Sequence, residues 1–194
     1  MPFNLPIFLT WLRIILIPLM VAVYYVPEPW IHATGRDLAA TLIFVVAAAT
    51  DWLDGYLARK WNETSAFGAF LDPVADKLMV AAALIILVWL DRVDAILAII
   101  IIGREITISA LREWMAQIGA RASVAVSMIG KIKTTAQMAS IPLLLYHVPI
   151  GAFNTRFHGT WLMYVAAILT LWSMIYYLRM AWPHLSGEGN SSEK

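Results

Sequence analysis

Four aspartates stand close together in the stretch "TDWLDGYLARKWNETSAFGAFLDPVADKL": Asp51, Asp54, Asp72 and Asp76. Asp51, Asp54 and Ala58 are spaced i, i+3 and i+7, which is one face of a helix, with Gly55 alongside. Asp72 and Asp76 are spaced i and i+4, one face of the next helix. Like charges this close do not all stay ionised unaided, so either some are protonated or a cation joins them. Clustered carboxylate oxygens favour a hard divalent ion, Mg²⁺ or Mn²⁺. Four of them suffice for two ions about 3.5–4 Å apart, the arrangement of two-metal phosphoryl chemistry. The plainer alternative makes Asp72 the N-cap of a helix with Pro73 at its first position, and leaves Asp51 and Asp54 in solvated headgroup space. Four acids at adjacent helix ends, with Gly55 and Gly68 leaving room for a ligand, favour a site.

The elements that must position these acids are apolar. Of 194 residues, 61% are hydrophobic, and the mean hydropathy is +0.72. Soluble domains sit at roughly 45–50% apolar, so the composition is that of an integral membrane protein. Six apolar segments, roughly 7–26, 37–58, 73–90, 94–112, 126–147 and 160–182, each approach the ~17–25 residues of a spanning helix. The breaks carry turn chemistry: Pro27 and Pro29, "WNETSAFG", "DRVD", "QIGARAS" and "VPIGAFNTRFHG". The expected fold class is all-α, a polytopic six-transmembrane-helix bundle forming one domain over residues 1–185. The polar stretch 186–194 is expected to be a disordered tail. The first apolar run lacks a basic flank and is too long for a signal peptide, so it reads as a retained helix.

Basic residues orient the bundle. Arg59, Lys60, Arg112, Arg121, Lys131, Lys133, Arg179 and Lys194 fall on one side, and Arg36, Arg92 and Arg156 on the other. The richer side is assigned to the cytosol by the positive-inside rule. Both termini and the four acids then lie there, and the expected location is the inner (cytoplasmic) membrane. Arg13, Lys77 and Arg104 lie inside or at the edge of helices, where a charge either snorkels to the headgroups or faces a cavity and has a task. A net charge of +1 gives no bulk attraction to nucleic acid. The absence of cysteine removes disulfides and thiolate metal sites.

The acidic stretch reads D-x2-D-G-x2-A-R-x8-G-x3-D-x3-D, filled by Asp51, Asp54, Gly55, Ala58, Arg59, Gly68, Asp72 and Asp76. This pattern resembles the signature of the CDP-alcohol phosphotransferase family. The resemblance implies a membrane enzyme, a homodimer embedded in membrane lipid, that opens CDP-diacylglycerol with two divalent cations. It makes Asp51, Asp54, Asp72 and Asp76 the metal ligands and Asp76 also the catalytic base. It places Gly55, Arg59 and Ser65 on the CDP moiety and keeps Ala58 and Gly68 small beside it. A glycine admits close approach and an arginine suits a pyrophosphate. The family's Asn-x-x-Thr element near the first helix is "IFLT" here: Thr10 is kept as a CDP-diacylglycerol contact, Ile7 replaces Asn, and Asn4 lies one turn earlier.

The second half bears on the acceptor. "GREITISALREW" and "GKIKTTAQM" resemble the bacterial phosphatidylglycerophosphate synthase branch of that family, whose acceptor is sn-glycerol 3-phosphate. A phosphorylated acceptor needs cations, and Arg112 and Lys131, then Arg104 and Lys133, are the candidates. Arg104 and Arg112 share a helix face about 12 Å apart at 1.5 Å per residue. Contact with anionic headgroups is the competing use of such a basic loop. Inositol phosphate, phosphatidylglycerol and serine stay open as acceptors. From another class, a small ion-coupled transporter stays open too, although its site is expected near the midplane rather than at one end.

Overall fold

The computed structural model describes residues 5–61, 66–119 and 128–185. Six long helices account for nearly all of it, and no strand is present among the described residues: α1 Leu5–Ala22, α2 Ala33–Trp61, α3 Ala66–Trp89, α4 Ala95–Gln117, α5 Met128–Tyr146 and α6 Thr155–Leu185. A short 3₁₀ turn, Val23–Tyr25, finishes the first. The six expected segments are all there. Most are longer than their apolar stretches, because charged helix ends continue into the interface.

The expected turns end the helices by ordinary chemistry. Asp94 caps α4, its side chain accepting from the Ile96 N–H at 2.7 Å, after Asp91 adopts the left-handed conformation at φ 60°. Asn154 caps α6, accepting from the Phe157 N–H at 3.0 Å. Around residue 66 the structure departs from one alternative. Since α3 begins at Ala66, Asp72 and Pro73 lie inside it, and Asp72 is not an N-cap. Its carboxylate is therefore free for tertiary contacts.

Three helices contain stretches long and apolar enough to cross a membrane, Phe8–Tyr25, Ala33–Asp54 and Thr155–Trp182. The other three carry charges that interrupt or flank their apolar runs: Asp72, Asp76 and Lys77 in α3, Arg104, Glu105 and Arg112 in α4, Lys131 and Lys133 in α5. They must be bundled with the first three to span lipid. The core that does this holds Met20, Phe44, Met79, Leu84, Leu87, Ile101, Ile141, Leu144 and Met163. The outside is apolar too, with Ile15, Ile85, Ile99, Ile106, Ile168 and Trp172 exposed, as lipid requires.

Helix order in space differs from order in sequence. α1 packs extensively on both α2 and α3, whereas α2 and α3 meet each other only slightly. The first helix is thus wedged into the α2–α3 hairpin. On the other side, α5 and α6 form the tightest pair. A Cβ on Gly159 would come within 2.8 Å of Leu144, and the Ser140 hydroxyl donates to the Gly159 carbonyl at 2.6 Å, so only glycine permits this approach. At the end away from the acids, Arg92 joins three elements. It donates to Asp37 at 2.6 Å and to the Leu145 carbonyl at 2.6 Å, while Tyr24 donates to Asp37 at 3.2 Å.

Candidate active site

The wedge position of α1 decides the geometry of the acids. Asp51 and Asp54 project from late α2, Asp76 from the middle of α3, and between them stands Arg13 of α1, with no exposed surface. Its Nη1 donates to Asp76 Oδ1 at 2.5 Å, and its Nη2 reaches Asp54 Oδ2 at 2.5 Å and Asp51 Oδ1 at 3.0 Å. One helical turn earlier on α1, the buried Thr10 hydroxyl donates to Asp72 Oδ1 at 2.6 Å. All four carboxylates of the signature are therefore gathered on one face of the first helix.

Access to them is uneven. The Asp54 side chain is 5% exposed, whereas those of Asp51 and Asp76 are 36% and 43% exposed. One guanidinium faces three carboxylates and the fourth has a hydroxyl donor, so the cluster keeps excess negative charge. Oxygen-only donors with surplus charge suit a hard divalent cation. Among the described residues no three acids surround a common point as a ready metal cage. Three of them instead converge on the guanidinium, which takes up the electrostatic role a cation would fill. The donor chemistry fits a divalent ion.

Of the other residues assigned to CDP-diacylglycerol, Gly55, Ala58 and Arg59 lie on α2 and Gly68 on α3. They flank the acids along the same two helices; their side-chain positions, and Ser65 altogether, lie outside the described residues.

The candidate acceptor cations form a second polar cluster between α4, α5 and α6. Arg112 Nη2 donates to the Tyr177 hydroxyl at 2.6 Å, and its guanidinium carbon lies 4.7 Å from that ring's centroid. Arg104 stacks more loosely on the same ring at 5.7 Å and donates to Ser173 Oγ at 2.8 Å. Glu105 accepts from Arg104 at 3.3 Å and from Lys133, which is buried. Three of the four candidate cations thus belong to one network. The Lys131 side chain lies outside the described residues. Among those described, buried Nε donors of Arg104 and Arg112 have no hydrogen-bond partner, and an oxyanion is the natural partner for such donors.

Four residues of these clusters escape a reading confined to the signature. Arg13 is visible in sequence as a charge within an apolar run, but its role depends on α1 entering the hairpin. Glu105 is visible as the neighbour of Arg104. Ser173 and Tyr177, one turn apart in "TLWSMIYYLR", have no distinguishing signal, since Ser and Tyr are ordinary residues in a spanning helix.

Known proteins resemble this chain over nearly its whole length. A family model described as CDP-alcohol phosphatidyltransferase matches residues 3–172. The chain is 51% identical over 187 residues to the CDP-diacylglycerol–glycerol-3-phosphate 3-phosphatidyltransferase of Escherichia coli (strain K12), covering 93% of this chain and 96% of that protein. Proteins of the same name from Shigella sonnei (strain Ss046) and Shigella flexneri serotype 5b (strain 8401) match with the same identity and coverage.

Proposed function

The chain belongs to the CDP-alcohol phosphatidyltransferase family, and from that membership we propose that it transfers the phosphatidyl group of CDP-diacylglycerol to sn-glycerol 3-phosphate, giving phosphatidylglycerol phosphate and CMP. The observation that carries this is the 51% identity, over 93% of the chain, to relatives bearing the name of that reaction. The gathering of the four acids on α1 and the partnerless arginine donors between α4 and α6 support it.

CDP-diacylglycerol leaves its acyl chains in lipid and places its CDP along α2 and α3, against Gly55, Ala58, Arg59, Ser65 and Gly68, with Thr10 beside Asp72. Asp51, Asp54, Asp72 and Asp76 hold two divalent cations, Mg²⁺ or Mn²⁺, which supply Lewis-acid stabilisation of the pyrophosphate charge when bound. Asp76, half-exposed and at the open side of the cluster, takes the proton of the sn-1 hydroxyl. The hydroxyl oxygen attacks the β-phosphorus, the bond from that phosphorus to the CMP oxygen breaks, and CMP departs. Arg112 and Lys131, helped by Arg104 and Lys133, hold the acceptor phosphate. The enzyme is one domain, sits in the inner membrane with both termini and the active site facing the cytosol, and works as a homodimer. The excess of Lys and Arg at that end supports the orientation.

The test is CMP release from purified protein given CDP-diacylglycerol, Mg²⁺ and one alcohol at a time. Glycerol 3-phosphate should support turnover. Turnover with inositol phosphate, serine or phosphatidylglycerol, and none with glycerol 3-phosphate, would reassign the acceptor.

A further inference from the structure

An arginine with no exposed surface inside a lipid-embedded bundle requires explanation. A buried, unpaired cation is strongly destabilising, and four carboxylates brought together without a cation are equally so. Arg13 and the acids each remove the other's penalty. Its two terminal nitrogens reach three acids from two different helices, Asp51 and Asp54 on α2 and Asp76 on α3. These helices touch each other little directly. The guanidinium is therefore the junction through which the two halves of the acidic cluster are held in register. Asp72 is held separately, by the Thr10 hydroxyl. The carboxylates that face Arg13 are among those assigned to the divalent ions.

We propose that Arg13 is a resident counter-cation. It holds the carboxylates in place when no divalent ion is bound, and yields oxygens of Asp51 and Asp76 to the ion when one enters. Metal binding is then an exchange of cations at a preassembled cluster. Asp51 and Asp76 are the members that yield because their side chains are 36% and 43% exposed, while Asp54 at 5% serves the ion without releasing the arginine. The proposal rests on the assignment of the four acids as metal ligands.

The test uses full-length protein in detergent, with Mn²⁺ as the probe, and reads unfolding temperature and Mn²⁺ affinity rather than turnover. In EDTA, Arg13→Gln should unfold more than about 5 °C below wild type, the scale of a broken buried ion network in a chain of this size. Mn²⁺ should bind that variant about tenfold or more tightly than wild type, as removal of a nearby like charge does for proton binding. Mn²⁺ should also raise its unfolding temperature further than that of wild type, by linkage. Arg13→Lys keeps the charge without the planar fork and serves if the glutamine variant does not survive extraction. It too should be less stable in EDTA and gain more from Mn²⁺ than wild type. Unchanged stability in EDTA, or an equal gain from Mn²⁺, would overturn the counter-cation role. Weaker Mn²⁺ binding to Arg13→Gln, with binding still lost in Asp54→Asn, would make Arg13 a brace needed beside the ion and overturn the exchange alone. Mn²⁺ binding absent from wild type, or indifferent to Asp54→Asn, would overturn the ligand assignment and the exchange with it.

Discussion

Removing one oxygen from α6, Tyr177→Phe, separates acceptor recognition from everything else in the site. The ring remains, so the packing around Ile108, Met115 and Ala181 and the stacking of Arg112 at 4.7 Å are retained. What is lost is the acceptor for Arg112 Nη2 at 2.6 Å. A hydrogen bond to a charged group is worth about 1.5–3 kcal/mol. If that bond aims the guanidinium at the acceptor phosphate, its loss should raise KM for glycerol 3-phosphate by roughly 10–150-fold, at about 1.4 kcal/mol per decade. KM for CDP-diacylglycerol should change less than about threefold, because its proposed contacts lie on α1, α2 and α3. The assay is CMP release with each substrate varied at saturation of the other. Equal rises in both KM values would mean that Tyr177 supports the bundle as a whole. No change in either, with unaltered stability, would mean that Arg112 is aimed without it.

Four further outcomes test other parts of the site. Excess EDTA should abolish CMP release, and Mg²⁺ or Mn²⁺ should restore it while Ca²⁺, with its looser coordination, does so poorly. Asp76→Asn should lower kcat by about 10²–10⁴, the range for a lost general base, and a Mg²⁺ titration should not recover it, whereas the loss in Asp54→Asn should be partly recovered. Arg112→Ala should raise KM for glycerol 3-phosphate well above any change for CDP-diacylglycerol, measured by the same CMP assay. At the far end, Arg92→Ala leaves the buried Asp37 carboxylate with the Tyr24 hydroxyl but no cation, and removes the Arg92 donor from the Leu144 and Leu145 carbonyls. It should cost about 3–5 kcal/mol of stability, seen as a lower unfolding temperature in detergent with both KM values unchanged.

The fold was legible because lipid imposes a simple rule: each spanning element must be a helix with its own backbone bonds satisfied. Six apolar runs therefore predict six helices, and the breaks "DRVD" and "VPIGAFNTRFHG" contain the residues, Asp94 and Asn154, that cap α4 and α6 in the structure. The ends were less legible, since a helix such as α3 continues past its apolar part as far as Ala66. The structure brings the four acids together around α1 rather than against one another, and Asp72 and Asp76 lie inside α3 rather than at its start. Hydropathy carries no information about which helix inserts between two others. Arg13 could be flagged from sequence as a charge with a task; which carboxylates it meets is a fact of packing. The same holds for Tyr177, whose partner Arg112 is 65 residues away.

The position of α1 also constrains how the protein is made. Arg13 precedes Asp54 by 41 residues and Asp76 by 63, so the first helix leaves the ribosome and meets the translocon before its counterions have been synthesised. An arginine at a helix centre opposes insertion by about 2.5–3.5 kcal/mol, and the stretch Phe8–Tyr25, with mean hydropathy 1.8, must overcome this alone. Arrival of α2 delivers Asp51 and Asp54, and arrival of α3 then completes the cluster with Asp72 and Asp76. A nascent chain halted before Asp76 would hold an arginine with only half its anchorage. Completion of the acidic cluster is thereby coupled to the order in which the ribosome delivers helices to the membrane.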